Sequence, residues 1–132
     1  MIRLDTNVLV RYIVQDDPAQ GAAVTRLIED RCTAKSPGYV SVPVLLELVW
    51  VLKSAYGHEK ATVIPVVRQL LRTAELAVED RETVWTALRA FEAGTADFAD
   101  HLIAHRSHAR GCTRTYTFDL RAARGGHFAL LT

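Results

Sequence analysis

Met1-Ile2-Arg3-Leu4-Asp5-Thr6-Asn7-Val8-Leu9 is the stretch on which the fold turns. Ile2 to Leu4 is short and apolar, and Asp5, Thr6 and Asn7 all favour turns and helix caps. The following apolar run, Val8 to Val14, suits a strand or a short buried helix by periodicity alone. The turn chemistry of Asp-Thr-Asn decides the matter: a strand ends at Asp5 and a helix begins directly after it. The N-terminus has no basic region leading into an apolar stretch, so it does not read as a secretory signal.

Outward from there, Asp17-Pro18 is a helix start, a capping acid followed by proline at the first helical position. The helix is expected to reach about Arg31, with Ala23, Leu27 and Ile28 inward. Ser36-Pro37-Gly38 is a turn, and Tyr39 to Val42 has strand character. Val44 to Tyr56 reads as a strongly apolar helix stopped by Gly57, and His58 to Arg72 as another that Pro65 kinks or interrupts. Leu76 to Val78 is a strand; Asp80 caps a helix to about Ala93, closed by Gly94. A further helix opens at Thr95 or Ala96 and ends near Arg110. Thr113 to Phe118 alternates β-branched, charged and aromatic residues, a strand pattern, with Asp119 directly behind it. Strands separated by helices imply right-handed crossovers. The expected fold is therefore α/β, a mainly parallel central sheet sandwiched by helices, with functional groups at the carboxyl ends of the strands. A length of 132 residues suits a single domain, residues 1–132, around one core.

Hydrophobic residues make up 49% and charged residues 23%, which excludes a disordered chain. The formal net charge of +1 does not mark a polyanion binder in bulk. Its distribution is uneven: from His101 to Thr132, Arg106, Arg110, Arg114, Arg121 and Arg124 face a lone acid, Asp119. Arginines beside acids can hold a phosphate backbone near a metal; the competing reading is a solvated helix face and a basic tail. No apolar run approaches the ~20 residues of a membrane-spanning helix, so no membrane partner is expected. Cys32 and Cys112 are far apart and show no metal-ligand spacing. Two free thiols in a reducing compartment, hence the cytoplasm, is the expectation.

The acids carry the functional signal. Glu47 is the only charge between Val40 and Leu52, on a helix apolar enough to be largely buried. A lone carboxylate there lies on one exposed stripe, pairs with a buried arginine, or faces a polar cavity holding a cation. Asp97 and Asp100, three residues apart, fall on one face of the late helix. Asp97 suits the first turn of a helix through the macrodipole; Asp100 is harder to explain, because Leu102, Ile103 and Ala104 turn inward directly afterwards. His101, His105 and His108 also recur at helical spacing, a stripe with metal-ligand chemistry or a solvated helix face.

In order along the chain, Asp5 follows the first strand, Glu47 sits on an apolar helix, Asp100 early in a late helix, and Asp119 after the last clear strand. The stretches that carry these acids are Arg3-Leu4-Asp5-Thr6-Asn7-Val8, Pro43-Val44-Leu45-Leu46-Glu47-Leu48, Ala96-Asp97-Phe98-Ala99-Asp100-His101-Leu102-Ile103-Ala104 and Thr115-Tyr116-Thr117-Phe118-Asp119. Together they resemble the PIN-domain nucleases, and in particular the VapC toxins of type II toxin–antitoxin pairs, over nearly the whole chain. The resemblance implies a Mg²⁺- or Mn²⁺-dependent endoribonuclease acting on RNA, dimeric and neutralised by a small cognate antitoxin. Carried over by position, it makes Asp5, Glu47 and Asp100 the core metal-binding acids and Asp119 a fourth, with Asp97 beside the site. Thr6 or Asn7 would orient Asp5, and Thr117 would hydrogen-bond a carboxylate or a metal-bound water. After Asp119 the chain departs from the family's usual acidic or polar run and is more basic and glycine-rich, Leu120-Arg121-Ala122-Ala123-Arg124-Gly125-Gly126-His127-Phe128.

Several carboxylates brought together raise one another's pKa, and a hard divalent cation with oxygen ligands relieves the repulsion. One or two such ions suit hydrolysis of a phosphodiester. The alternatives are a non-catalytic RNA- or protein-binding module whose acids are structural, and a metal enzyme assisted by the histidine stripe. The apolar share of Val40 to Leu71 exceeds what one small core is expected to need, so part of it is expected to form a homodimer or antitoxin interface.

Overall fold

Short strands alternate with longer helices throughout the computed structural model, which describes every residue from Met1 to Thr132. The chain divides into two compact units, Met1–Arg81 and Glu82–Thr132. In the first, β1 (Ile2–Arg3), α1 (Thr6–Val14), α2 (Pro18–Arg31), β2 (Gly38–Val40), α3 (Val42–Ser54), α4 (Lys60–Arg72) and β3 (Leu76–Val78) follow in order. The strands form one parallel sheet in the order β1-β2-β3, with Ile2 opposite Gly38 and Gly38 opposite Leu76. Gly38 leaves room for its neighbours at the centre of this sheet: a Cβ there would stand 2.8 Å from Leu4 Cδ1 and 3.0 Å from Cys32 Sγ, and the Leu4 side chain would have to shift.

The helix starts follow from local chemistry. Asp17 accepts a hydrogen bond from the Gln20 backbone N–H at 3.0 Å, with Pro18 at the first helical position. Ser41 accepts from the Val44 N–H at 3.3 Å and so caps α3 two residues earlier than its apolar run suggests. The inward stripe of α2 is Gly21, Val24 and Ile28; Ala23, expected inside, is exposed, and Leu27 is half-buried. Val24 and Ile28 pack with Cys32 against Ile2, Val8 and Tyr12, and this contact sets the rotation of the helix. Pro65 neither ends nor interrupts α4, because it lies on the exposed face. Asp80 does not take an extended capping conformation: its φ of 51° is left-handed, a region Asp tolerates better than most residues.

The apolar run from Val40 to Leu71 is mostly core. Leu45, Leu48, Leu52, Val63 and Val67 are fully buried within the chain, and Trp50 is the large side chain that stands out, 67% exposed. The expectation of surplus hydrophobic surface here is corrected to this one residue.

In the second unit, α5 (Arg81–Ala93) is followed by α6 (Phe98–Ala109), β4 (Thr115–Thr117), a short 3-10 turn (Ala122–Arg124) and β5 (Phe128–Leu130). β4 and β5 pair in parallel, Thr115 opposite Phe128 and Thr117 opposite Leu130. β5 has no counterpart among the sequence expectations. Phe91 and Phe98 meet edge to face at 5.9 Å, and Ala96, Ala104, Ala122 and Phe128 form a small apolar cluster. Gly94 sits where a Cβ would lie 2.9 Å from the Ala90 carbonyl oxygen and 3.2 Å from His101 Nε2. Every strand pairing in the chain is thus parallel, as an α/β fold requires, in one three-stranded and one two-stranded sheet. No helix is long and apolar enough to cross a membrane.

Candidate functional site

In the first unit, the parallel arrangement puts the residues that follow β1, β2 and β3 at one sheet edge: Asp5, Ser41 and Glu79. Asp5 heads α1 in an extended conformation: its backbone carbonyl accepts from the Leu9 N–H at 3.2 Å, while its side chain caps no N–H of that helix. It forms a loose ion pair with Arg3 at 3.8 Å, both side chains 62% exposed, an arrangement that contributes little to stability and leaves the carboxylate available. Behind it Thr6 is buried and Asn7 exposed.

Of the three settings open to it, Glu47 has the exposed stripe. It is exposed, on an open stripe of α3 with Pro43 and Trp50, so its place on an apolar helix does not by itself demand a cation. Sequence reasoning also passed over Glu79, whose Oε1 accepts a 2.7 Å hydrogen bond from the Val42 N–H. The signal was present, an acid directly after a strand, as at Asp5. Its carboxylate serves the N-terminus of α3, where the helix dipole favours negative charge.

A cleft of about 540 Å³ lies elsewhere, lined by Tyr12, Ile28, Cys32, Thr33, Thr73 and Glu75. Cys32 and Thr33 precede β2, and Thr73 and Glu75 precede β3, so it opens at the amino ends of the strands, opposite the acids. Burial pushes the Cys32 thiol up, which keeps it protonated and unreactive; Cys112 is exposed, and neither forms a disulfide.

In the second unit, Asp97 is the N-cap of α6 and Asp100 its third helical residue. The Asp100 carboxylate accepts a hydrogen bond from the Asp97 backbone N–H, half of a capping box. Asp100 is half-buried, and its carboxyl is raised above the ordinary range. Burial is the main cause, followed by the charges of Asp97 and Asp119; the hydrogen bond from Asp97 and the proximity of His101 act the other way. The charges of Asp97 and Asp119 therefore both act on Asp100.

Asp119 is fixed by its own backbone environment. Its Oδ1 accepts from the N–H groups of Arg121 at 2.8 Å and Ala122 at 3.4 Å, and its N–H donates to Thr117 Oγ1 at 2.9 Å. Thr117 thus holds the backbone of Asp119. The Thr95 hydroxyl donates to the Arg121 carbonyl at 3.2 Å, tying the segment after Asp119 to the loop that opens α6. The basic, glycine-rich stretch contains the 3-10 turn Ala122–Arg124, and Asp119 accepts from the N–H groups that lead into it.

The histidine stripe becomes a ring cluster. Buried His101 stacks on His105 with centroids 6.5 Å apart, His105 meets His127 at 4.6 Å, and His108 meets His127 at 4.4 Å. His127, from the residue before β5, was not anticipated. Burial, and then the charges of His127, His101 and His108, hold His105 below the usual imidazole range. Nowhere in the chain do three or more His, Cys, Asp or Glu side chains come together closely enough to hold a metal ion, and this is as true of the acids as of the histidine stripe. The donor chemistry at Asp97, Asp100 and Asp119 nevertheless fits a hard divalent cation: all oxygen, with one carboxyl already raised by burial and by its neighbours.

A family model for the PIN domain matches residues 2–127, across both units. No curated protein and no solved structure matches the chain significantly. PIN domains are generally nucleases and typically use divalent metals.

Proposed function

We propose, from the premise that this chain belongs to the PIN-domain family, that it is a metal-dependent endoribonuclease and the VapC-type toxin of a toxin–antitoxin pair. The observation that carries the reading is the family match over residues 2–127, which takes in all four acids, and the half-buried Asp100 carboxyl, raised by burial and by Asp97 and Asp119, agrees with it. A protein gains nothing in stability from keeping like charges near a half-buried acid; a site that receives a cation does.

Asp5, Glu47, Asp100 and Asp119 are the proposed ligands of Mg²⁺ or Mn²⁺, with Asp97 assisting. When bound, such an ion supplies Lewis-acid polarisation of the phosphodiester. The chain's own groups do the rest. Asp97 N–H aims the Asp100 carboxylate, Thr117 and the turn after Asp119 hold the fourth acid, and Arg121 and Arg124 meet the phosphate backbone. Asp5 and Glu47 stand exposed and uncapped, ready to accept a ligand. RNA is the proposed substrate; a cognate antitoxin and a second copy of the chain are the proposed partners.

The test is cleavage of total RNA by purified protein with Mg²⁺ or Mn²⁺, against Asp5→Asn and Glu47→Gln. Loss of cutting in both variants with the fold intact is expected; full activity in excess chelator would overturn the reading. A second reading is a non-catalytic binding module with structural acids, which the capping roles of Asp100 and Asp119 favour. It requires that wild type show no turnover with either metal, that Asp100→Asn alter stability alone, and that divalent metal leave the melting temperature unchanged.

A further inference from the structure

β4 is built inside out. Along a half-buried strand, large apolar side chains face the core and small polar ones face water. Here Thr115 and Thr117 take the partly buried face, while Tyr116 is 69% exposed and Phe118, directly before Asp119, is 77% exposed. Leu120 continues the series at 67%. Arg114, two residues before Tyr116, is also exposed, so Tyr116 on the strand is flanked by Arg114 just before it and by Phe118 at the bend just after it. Across the parallel pair Tyr116 lies opposite Ala129, too small to cover its ring.

The charge around this face selects its partner. Arg121 and Arg124 on the turn after Asp119 are exposed, and from His101 to Thr132 the five arginines meet a single acidic side chain. An aromatic pair alone would suit a protein surface. An aromatic pair bracketed by arginines matches a polyanion with unpaired ring faces, whose phosphates take the guanidinium groups and whose bases stack on the rings.

We propose that Tyr116 and Phe118 form a stacking platform for successive unpaired bases of a single RNA strand, with Arg114 and Arg121 on its phosphates, delivering the backbone to Asp119. This rests on the ribonuclease reading for the identity of the polyanion. It goes beyond it in naming the residues that hold the strand, and in requiring that the bound segment be single-stranded, because paired bases offer no free face.

Binding is measured apart from cutting, by fluorescence anisotropy of fluorescein-labelled deca-uridylate in excess EDTA. An RNA duplex of equal length serves as competitor. Wild type is expected to bind the single strand and to resist competition by the duplex. Tyr116→Ala and Phe118→Ala should each weaken binding at least about fivefold, as loss of a base–aromatic stack does. Tyr116→Phe, which keeps the ring, should bind as wild type, and Tyr116→Trp should show quenched tryptophan fluorescence on adding the oligonucleotide. Unchanged affinity in the double alanine variant, no binding by wild type, or equal competition by duplex would each overturn the platform. So would conversion of a dimer to a monomer by the double variant at unchanged RNA affinity, which would assign the face to a second copy of the chain. Adding Mn²⁺ afterwards separates the two claims. Ring-dependent binding without cutting removes the nuclease and leaves the platform, and cutting by a double variant of full affinity does the reverse.

Discussion

The carboxylate of Asp100 accepts a hydrogen bond from the backbone N–H of Asp97, while the side-chain charge of Asp97 opposes it. One contact holds the acid in place and another makes its charge unwelcome. A carboxyl raised in the folded state contributes stability below its unfolded pKa and loses it as pH rises through the folded value. At neutral pH the ionised form is therefore a burden. Asp100→Asn keeps an oxygen for the Asp97 N–H and removes the charge. It is expected to raise Tm slightly, by about 1–3 °C given the screening of a partly exposed group, while abolishing cleavage. Calorimetry beside an RNA assay checks both; a lower Tm with full activity would make Asp100 structural.

His105 gives a pH dependence of opposite sign. Its folded pKa is lowered by burial and by three neighbouring imidazoles, so below the ordinary imidazole range the unfolded chain takes up a proton that the folded chain refuses. Stability is then lost as pH falls through that window. Thermal melts should show a lower Tm at about pH 5.5 than at about pH 7.5, with the difference reduced in His105→Gln.

At Asp119, structure and chemistry can be separated. Asp119→Ala leaves the N–H groups of Arg121 and Ala122 without their acceptor and should cost about 0.5–2 kcal/mol. Asp119→Asn retains the cap and should cost far less. Both should lose activity, so equal losses with unequal melting temperatures would assign the charge, not the turn, to catalysis.

Divalent metal should stabilise the folded chain. At about one hundred times its Kd, Mg²⁺ or Mn²⁺ is expected to add about 2.7 kcal/mol, reversed by EDTA and diminished in Asp5→Asn. A melting curve indifferent to metal would favour the binding-module reading.

On α3 the two faces should answer differently. Leu45 is fully buried, and Leu45→Ala should destabilise by about 2–5 kcal/mol. Trp50 is 67% exposed, and Trp50→Ala should leave the melting curve nearly unchanged. If α3 forms the proposed contact with a second copy, the same variant should lower the mass measured by light scattering.

Much of this was legible in the chain itself. Asp17-Pro18, Leu76 to Val78 and the turn at Asp5 declare themselves because capping, proline geometry and strand propensity act over a few residues. The order of the acids, from Asp5 to Asp119, likewise needs no coordinates to be seen, and the family match runs over the stretch that contains them. Environment was decided elsewhere. That Glu47 faces water rather than the core depends on which side of α3 its neighbours cover, and a run of apolar residues fills every side alike in one dimension. The same blindness hid the inward stripe of α2. Only the tertiary structure joined His127 to the α6 histidines, brought the Asp119 charge within electrostatic reach of Asp100, and turned Tyr116 and Phe118 outward. Sequence sets what each residue can do over the reach of a few bonds; burial and electrostatic coupling are properties of neighbours that folding alone supplies.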